Sequence, residues 1–234
     1  MLYQTSFTVG DTIKLAVPTI GDIFDNEEAY YRSLDLFTSM PIDHMVQLDD
    51  IGIDFTTISQ WELFVMLFHS AQQDKLNIST MIENFVVDDF RPAQREADNE
   101  IVLLDMKTGF TIDRHLFEQI SAMVCRIHGV ERNDRRPANK EAKEYMIEVE
   151  RKKQKRRLRR KIQERSELER LIVALVNTEQ FKYNYETVRD LSIYQFRESV
   201  KQIVKKIDYE HRMHGVYSGT VSVKDIKQED LIWI

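Results

Sequence analysis

The segment with the clearest chemical potential lies between residues 151 and 165, and we call it the cationic segment. It holds ten Lys or Arg residues and one Glu, giving a net charge of +9, whereas the rest of the chain carries −15. Ammonium and guanidinium groups bind carboxylates and phosphates. We therefore predict that a partner binds here, through Arg151, Lys152, Lys153, Lys155, Arg156, Arg157, Arg159, Arg160 and Lys161.

The anion that this segment binds could belong to a nucleic acid or to an acidic protein surface. Lys and Arg neutralise phosphates and release counterions, which favours nucleic acid. However, the segment contains no aromatic residue and the whole chain has a net charge of −6, whereas nucleic-acid-binding domains are usually basic. A solvated helix or a helix docked on an acidic surface is therefore the favoured interpretation.

A second candidate surface is aromatic and lies in the C-terminal part of the chain. Its predicted partner-binding residues are Phe181, Tyr183, Tyr185 and Trp233. Aromatic side chains are enriched in protein interfaces, although at helical spacing they more often pack in a core. Both interpretations remain open for these residues.

Histidine and cysteine positions give weak support for metal binding or catalysis. His211 and His214 are three residues apart and could share a metal with Glu210 or His128, but a zinc site needs three or four ligands. The single cysteine, Cys125, lies in an apolar helical pattern, which favours a buried thiol over a nucleophile. We predict no metal site from these residues.

The acidic cluster of Asp49, Asp50 and Asp54 around Gly52 is a further candidate for cation binding. It lacks the spacing of a calcium-binding loop, and the end of a helix accounts for it. The chain also contains no glycine-rich phosphate loop and no Gly-x-Ser-x-Gly motif. We therefore expect no cofactor, no catalytic residue and no enzymatic activity.

The cationic segment belongs to a longer helical pattern over residues 139–177. This stretch contains no Gly or Pro, and Asn139 is a suitable N-cap. Its apolar positions fade in the middle, so we expect either one long helix or two helices interrupted near residues 157–166. We predict an acidic α+β domain with two hairpins at 1–130, this charged helix at 139–177, and a helical region packing on the rest at 178–234.

Local patterns place two hairpins near the N-terminal side of a mainly helical α+β protein. Alternating residues around Gly10 predict one hairpin, and residues 100–105 and 110–113 flanking a Met-Lys-Thr-Gly turn predict the other. A short strand is expected near 84–87. Ser59 and Glu62 form a capping box before an apolar helix, and Ser192 should cap the last helix.

The composition of the chain limits the classes of protein to which it can belong. The chain has 234 residues, of which 42% are hydrophobic, and this is enough for a substantial core. Its longest fully apolar runs have only six residues, whereas a membrane-spanning helix needs roughly 20. The first residues lack the pattern of a signal peptide, and one cysteine suits a reducing compartment. We expect a cytoplasmic protein without a membrane span.

Six segments along the chain resemble proteins encoded by tailed bacteriophages of Gram-positive hosts. They are residues 17–20 (VPTI), 47–55 (QLDDIGIDF), 100–105 (EIVLLD), 126–129 (RIHG), 179–183 (EQFKY) and 214–220 (HGVYSGT). The resemblance implies a role in tail or virion morphogenesis, most directly as an assembly chaperone. Such a protein would bind the tail tube or tape-measure protein in the host cytoplasm, and it could also self-associate.

Two alternatives remain open at this stage. The protein could be a structural component of the virion, in the neck, at the tail end or in the baseplate. It could instead be a regulator that binds nucleic acid through the cationic segment. The resemblance identifies no functional residues.

Overall fold

A computed structural model describes residues 1–10, 12–160 and 166–232. These residues form a mainly helical α+β fold, as predicted. The helices are α1 (Ile20–Asp25), α2 (Glu27–Thr38), α3 (Met45–Asp50), α4 (Gln60–Gln73), α5 (Arg114–His128), α6 (Lys140–Arg160), α7 (Glu167–Val176) and α8 (Ile193–Tyr217). The strands are β1 (Ser6–Val9), β2 (Ile13–Ala16), β3 (Phe90–Gln94), β4 (Ile101–Asp105) and β5 (Thr111–Ile112).

Both predicted hairpins are confirmed. Strands β1 and β2 pair antiparallel, and Gly10 after β1 has a φ of 59°, a conformation that glycine adopts without strain. Strands β4 and β5 also pair antiparallel, with Leu103 opposite Ile112. The sheets are small because each of these strands has five residues or fewer.

The prediction of a strand near residues 84–87 is wrong, because those residues form a turn, an irregular stretch and the start of a short 3-10 helix. The strand lies at Phe90–Gln94 instead and contains Pro92. Proline cannot donate a ladder hydrogen bond, but the sheet order β3-β4-β5 places β3 at an edge, where this donor is not needed.

Two compact units divide the chain. The first contains residues 1, 3–18 and 22–164 and has an aromatic core built around α4 and α5. The rings of Phe64 and Phe117 stack there with centroids 4.3 Å apart. The Tyr30 hydroxyl hydrogen-bonds to Nδ1 of buried His128 at 3.0 Å. The predicted capping box of Ser59 is present at the start of α4.

The second unit contains residues 2, 19–21 and 165–234. Its helices α7 and α8 have Ser166 and Ser192 as their N-caps, and the side chain of each serine accepts a hydrogen bond from a first-turn amide. Phe196 is fully buried. Thr19 forms a β-bridge with Ser192, so a short N-terminal segment belongs to this unit.

The two units divide the chain at residues 164 and 165, and residues 131–138 lie inside the first unit. The predicted three-part division into 1–130, 139–177 and 178–234 is a different description, and it stays a prediction. Within 139–177 the structure shows α6 and α7, and the residues between Arg160 and Ser166 lie outside the described part. No helix in the described ranges is both long and apolar enough to cross a membrane.

Candidate interaction surface

Helix α6 is held in the first unit by its N-terminal half. Asn139 caps it, because its side-chain oxygen accepts the amide hydrogen of Ala142 at 2.8 Å. Ile147 is the deeply buried α6 residue and joins an apolar cluster; half-buried Met146 packs against the same cluster. The other buried members of that cluster are Ile42, Val46, Leu48, Phe55 and Leu63.

Ion pairs flank this apolar contact on both sides. Lys143 Nζ lies 2.6 Å from the carboxylate of Asp54, and this hydrogen bond, assisted by the amide of Thr56, lowers the pKa of Asp54 to about 2. One helical turn beyond Ile147, the Arg151 guanidinium lies 3.0 Å from Asp49 and also pairs with Asp50. The acidic cluster thus binds cations of its own chain.

Beyond Arg151, the described cations of the segment pair with no acidic side chain outside α6. Lys152 and Lys153 still pair with Glu148 and Glu150 of their own helix. The next four cations are exposed, and within the described residues none of them forms an ion pair or a side-chain hydrogen bond: Lys155, Arg156, Arg157 and Arg159. Leu158, among them, is 80% exposed. The side chain of Arg160 and all of Lys161 lie outside the described part.

The aromatic candidates do not share one environment. Phe181 is buried and packs edge-on against Phe196 and beside Tyr183, so it serves the core of the second unit. Tyr183 and Tyr185 are 41% and 54% exposed and remain available to a partner. The Tyr185 hydroxyl accepts a hydrogen bond from Asn177 at 3.2 Å. Trp233 lies outside the described residues.

A groove in the first unit was not predicted from the sequence. The linker loop, residues 131–138, passes over the start of α4 and leaves a cavity of about 620 Å³, which we call the linker groove. Its apolar lining includes Met40, Phe55 and Ile58, and its cationic lining includes Arg135, Arg136, Lys140 and Lys143. The Arg-Arg-Pro sequence before the N-cap of α6 is the only signal of this site in the sequence.

The histidine and cysteine candidates lie on α8 and α5. Among residues 1–10, 12–160 and 166–232, no three His, Cys, Asp or Glu side chains form a group that could hold a metal ion. His211 and His214 lie near the end of α8. Cys125 is a free, half-buried thiol on α5.

The described residues therefore define a helical protein with a solvent-exposed cationic helix end beside an acidic body. Residues 153–234, which begin inside the cationic segment and include the contiguous part of the second unit, match the family model described as the YomV second domain. YomV is a protein of a Bacillus phage region, so the match supports the phage association in this coarse form. No curated protein and no solved structure matches the chain.

Proposed function

We propose that the protein is a non-enzymatic phage assembly protein that binds a tail component in the host cytoplasm, in the manner of a tail assembly chaperone. The partner would be the tail tube or tape-measure protein. The observation that carries the proposal is the exposed end of α6, where four successive cations have no partner among the described residues. The phage association rests on the resemblance and on the match of residues 153–234.

Carboxylates are a better match for this helix end than phosphates. Arg151, the first cation of the same segment, pairs with two carboxylates, those of Asp49 and Asp50. Residues 1–150 carry a net charge of −14, so a polyanion approaching α6 would also be repelled by the body that holds the helix. A protein surface with a local acidic patch can pair with the helix end and avoid most of that repulsion.

The proposed mechanism is reversible masking of a structural protein before it assembles. Exposed charge pairs contribute little net affinity but accelerate association, so the cationic segment would steer the partner. Tyr183 and Tyr185 supply amphipathic contact area of the kind that enriches interfaces. A complex built this way dissociates when the partner finds its place in the tail, since no large apolar surface has to be uncovered.

Size-exclusion chromatography with purified tail tube or tape-measure protein tests the proposal. The variant replaces Lys155, Arg156, Arg157 and Arg159 with Gln. At about 0.2–1 kcal/mol per exposed pair, we expect the four losses to weaken binding by roughly fourfold to several hundredfold at low salt. A matched control, with the same change in net charge, replaces the exposed lysines of the second unit with Gln: Lys182, Lys201, Lys205 and Lys224.

Co-elution of the wild type and the control, but not of the α6 variant, is the expected result. Co-elution with neither tail protein at low salt contradicts the proposal. Retardation of DNA or RNA that falls steeply with salt and disappears in the α6 variant would instead identify a nucleic-acid-binding regulator. Mass spectrometry of purified particles separates a chaperone, which is absent from the virion, from a permanent structural component.

A further inference from the structure

The linker loop is attached to the rest of the first unit near its N-terminal end. The chain is attached again after the C-terminal end of the loop, at Lys143 in the first turns of α6. Near the N-terminal end, Asn133 donates a side-chain hydrogen bond to Asp43 at 3.1 Å and Arg132 donates one to Ser121 at 2.9 Å. Beyond the C-terminal end, Lys143 pairs with Asp54. These attachments hold the loop above the start of α4 and keep the linker groove open in the free protein.

Between these attachments the backbone of the loop makes no hydrogen bonds within the described residues. Residues 131–138 form neither helix nor strand, and none of their amide or carbonyl groups pairs with another group of the described chain. Backbone groups of this kind bind water or the backbone of another chain. An extended peptide lying beside the loop could use them as it would use the edge of a sheet.

The side chains around the groove are complementary to a particular kind of peptide. Arg135 and Arg136 are exposed and make no ion pair or hydrogen bond with the described residues. Met40 and Ile58 are half-buried in the lining, so a further apolar side chain would complete their burial. Among the described residues that line the groove, Asp134 is the one with an acidic side chain.

We propose that the linker groove binds an acidic peptide segment of a partner protein, with an apolar side chain placed on Met40 and Ile58. Carboxylates on either side of this anchor pair with Arg135 and Arg136, and the peptide backbone pairs with the linker loop. The cavity of about 620 Å³ is large enough for two or three side chains. The site is distinct from the exposed end of α6 and goes beyond the function proposed above.

Fluorescence anisotropy with the full chain and a fluorescein-labelled peptide, EDLFED, tests the proposal. We expect saturable binding below about 1 mM, and at least fivefold weaker binding of two altered peptides, QNLFQN without charge and EDSSED without apolar anchors. The double variant R135Q/R136Q should also bind EDLFED about two- to thirtyfold more weakly. The control R114Q/R126Q removes two exposed arginines of the same unit outside the groove and should bind like the wild type.

Several outcomes would overturn the proposal. The proposal is wrong if EDLFED does not bind up to about 1 mM, if the groove variant and its control lose the same affinity for the peptide, or if inorganic phosphate displaces the peptide. Loss of EDLFED binding when Lys155, Arg156, Arg157 and Arg159 are neutralised, with R135Q/R136Q unaffected, would assign the binding to α6 instead. Because the two sites are tested by separate variants, failure here leaves the function proposed for α6 standing, and the reverse also holds.

Discussion

Replacing Ile147 with Ala should undock α6, and the structure predicts that this change costs more than breaking either flanking ion pair. Ile147 is 8% exposed and is the deeply buried residue of the helix. Truncating a buried Ile to Ala costs about 2–5 kcal/mol, from lost transfer energy and the cavity left behind. We therefore expect Ile147→Ala to lower the free energy of unfolding of the first unit by about 3 kcal/mol.

The two ion pairs that flank Ile147 should contribute less to stability than its apolar contact. In the pair of Lys143 with Asp54 the side chains are 23% and 36% exposed, and in the pair of Arg151 with Asp49 they are 36% and 46% exposed. Partly solvated pairs contribute about 0.2–1 kcal/mol. We therefore expect K143Q and R151Q to cost less than about 1 kcal/mol each. The apolar contact, and not charge, decides where the helix docks.

Urea titration followed by tryptophan fluorescence measures these differences, in a W233F background so that only Trp61, which is buried in the core of the first unit, contributes to the signal. Hydrogen exchange adds the location, and amides of residues 144–152 should lose more protection than those of α4. The control L158A changes a side chain that is 80% exposed, so it should stay within about 0.5 kcal/mol of the wild type. A cost for R151Q larger than for Ile147→Ala would refute the reasoning.

Three further predictions concern pH, capping and the second unit. The carboxylate of Asp35 lies 3.4 Å from Nε2 of His44 and raises the pKa of His44, so the pair stabilises the fold fully below pH 6.5 and loses this effect as pH rises through the folded-state pKa. Urea titrations from about pH 6 to 8.5 should show a steeper loss of stability in the wild type than in D35N, and parallel curves would contradict this. Ser59→Ala removes the N-cap of α4 and should cost about 1 kcal/mol in the same titration, whereas Ser59→Gly should cost less. Phe196→Ala should cost about 3–5 kcal/mol and reduce hydrogen-exchange protection in α7 and α8, with α4 as the internal reference.

Local chemistry explains the parts of the fold that the sequence predicts correctly. The cap at Ser59 depends on a residue only three positions away, Glu62, and the cap at Asn139 depends on the nearby amide of Ala142. The hairpin turn after β1 contains Gly10, whose positive φ is one that glycine adopts readily. Such features are visible in any sequence because partner and position lie within one turn.

Features that depend on distant partners were missed. Asp49 and Asp54 looked like the end of a helix, and their cationic partners, Arg151 and Lys143, lie 102 and 89 residues further along the chain. Pro92 fits in β3 because this strand lies at the edge of the sheet, and that position is a property of the sheet and not of the residue. The attachments of the linker loop to Ser121 and Asp43 are tertiary contacts, which no local pattern in residues 131–138 indicates.

The linker groove and the exposed cations lie on opposite ends of one helix, and this arrangement has an energetic consequence. Lys143 lines the groove and Arg156 lies 13 residues later, so the two surfaces are about 20 Å apart along α6. A partner with two acidic elements at that spacing could bind both, and the second contact would then be intramolecular and gain from a high effective concentration. That gain requires a fixed distance, which the docking of Ile147 between the two surfaces provides. Undocking at Ile147 should therefore weaken such a partner more than a single-site peptide like EDLFED, although the change removes no charge from either surface.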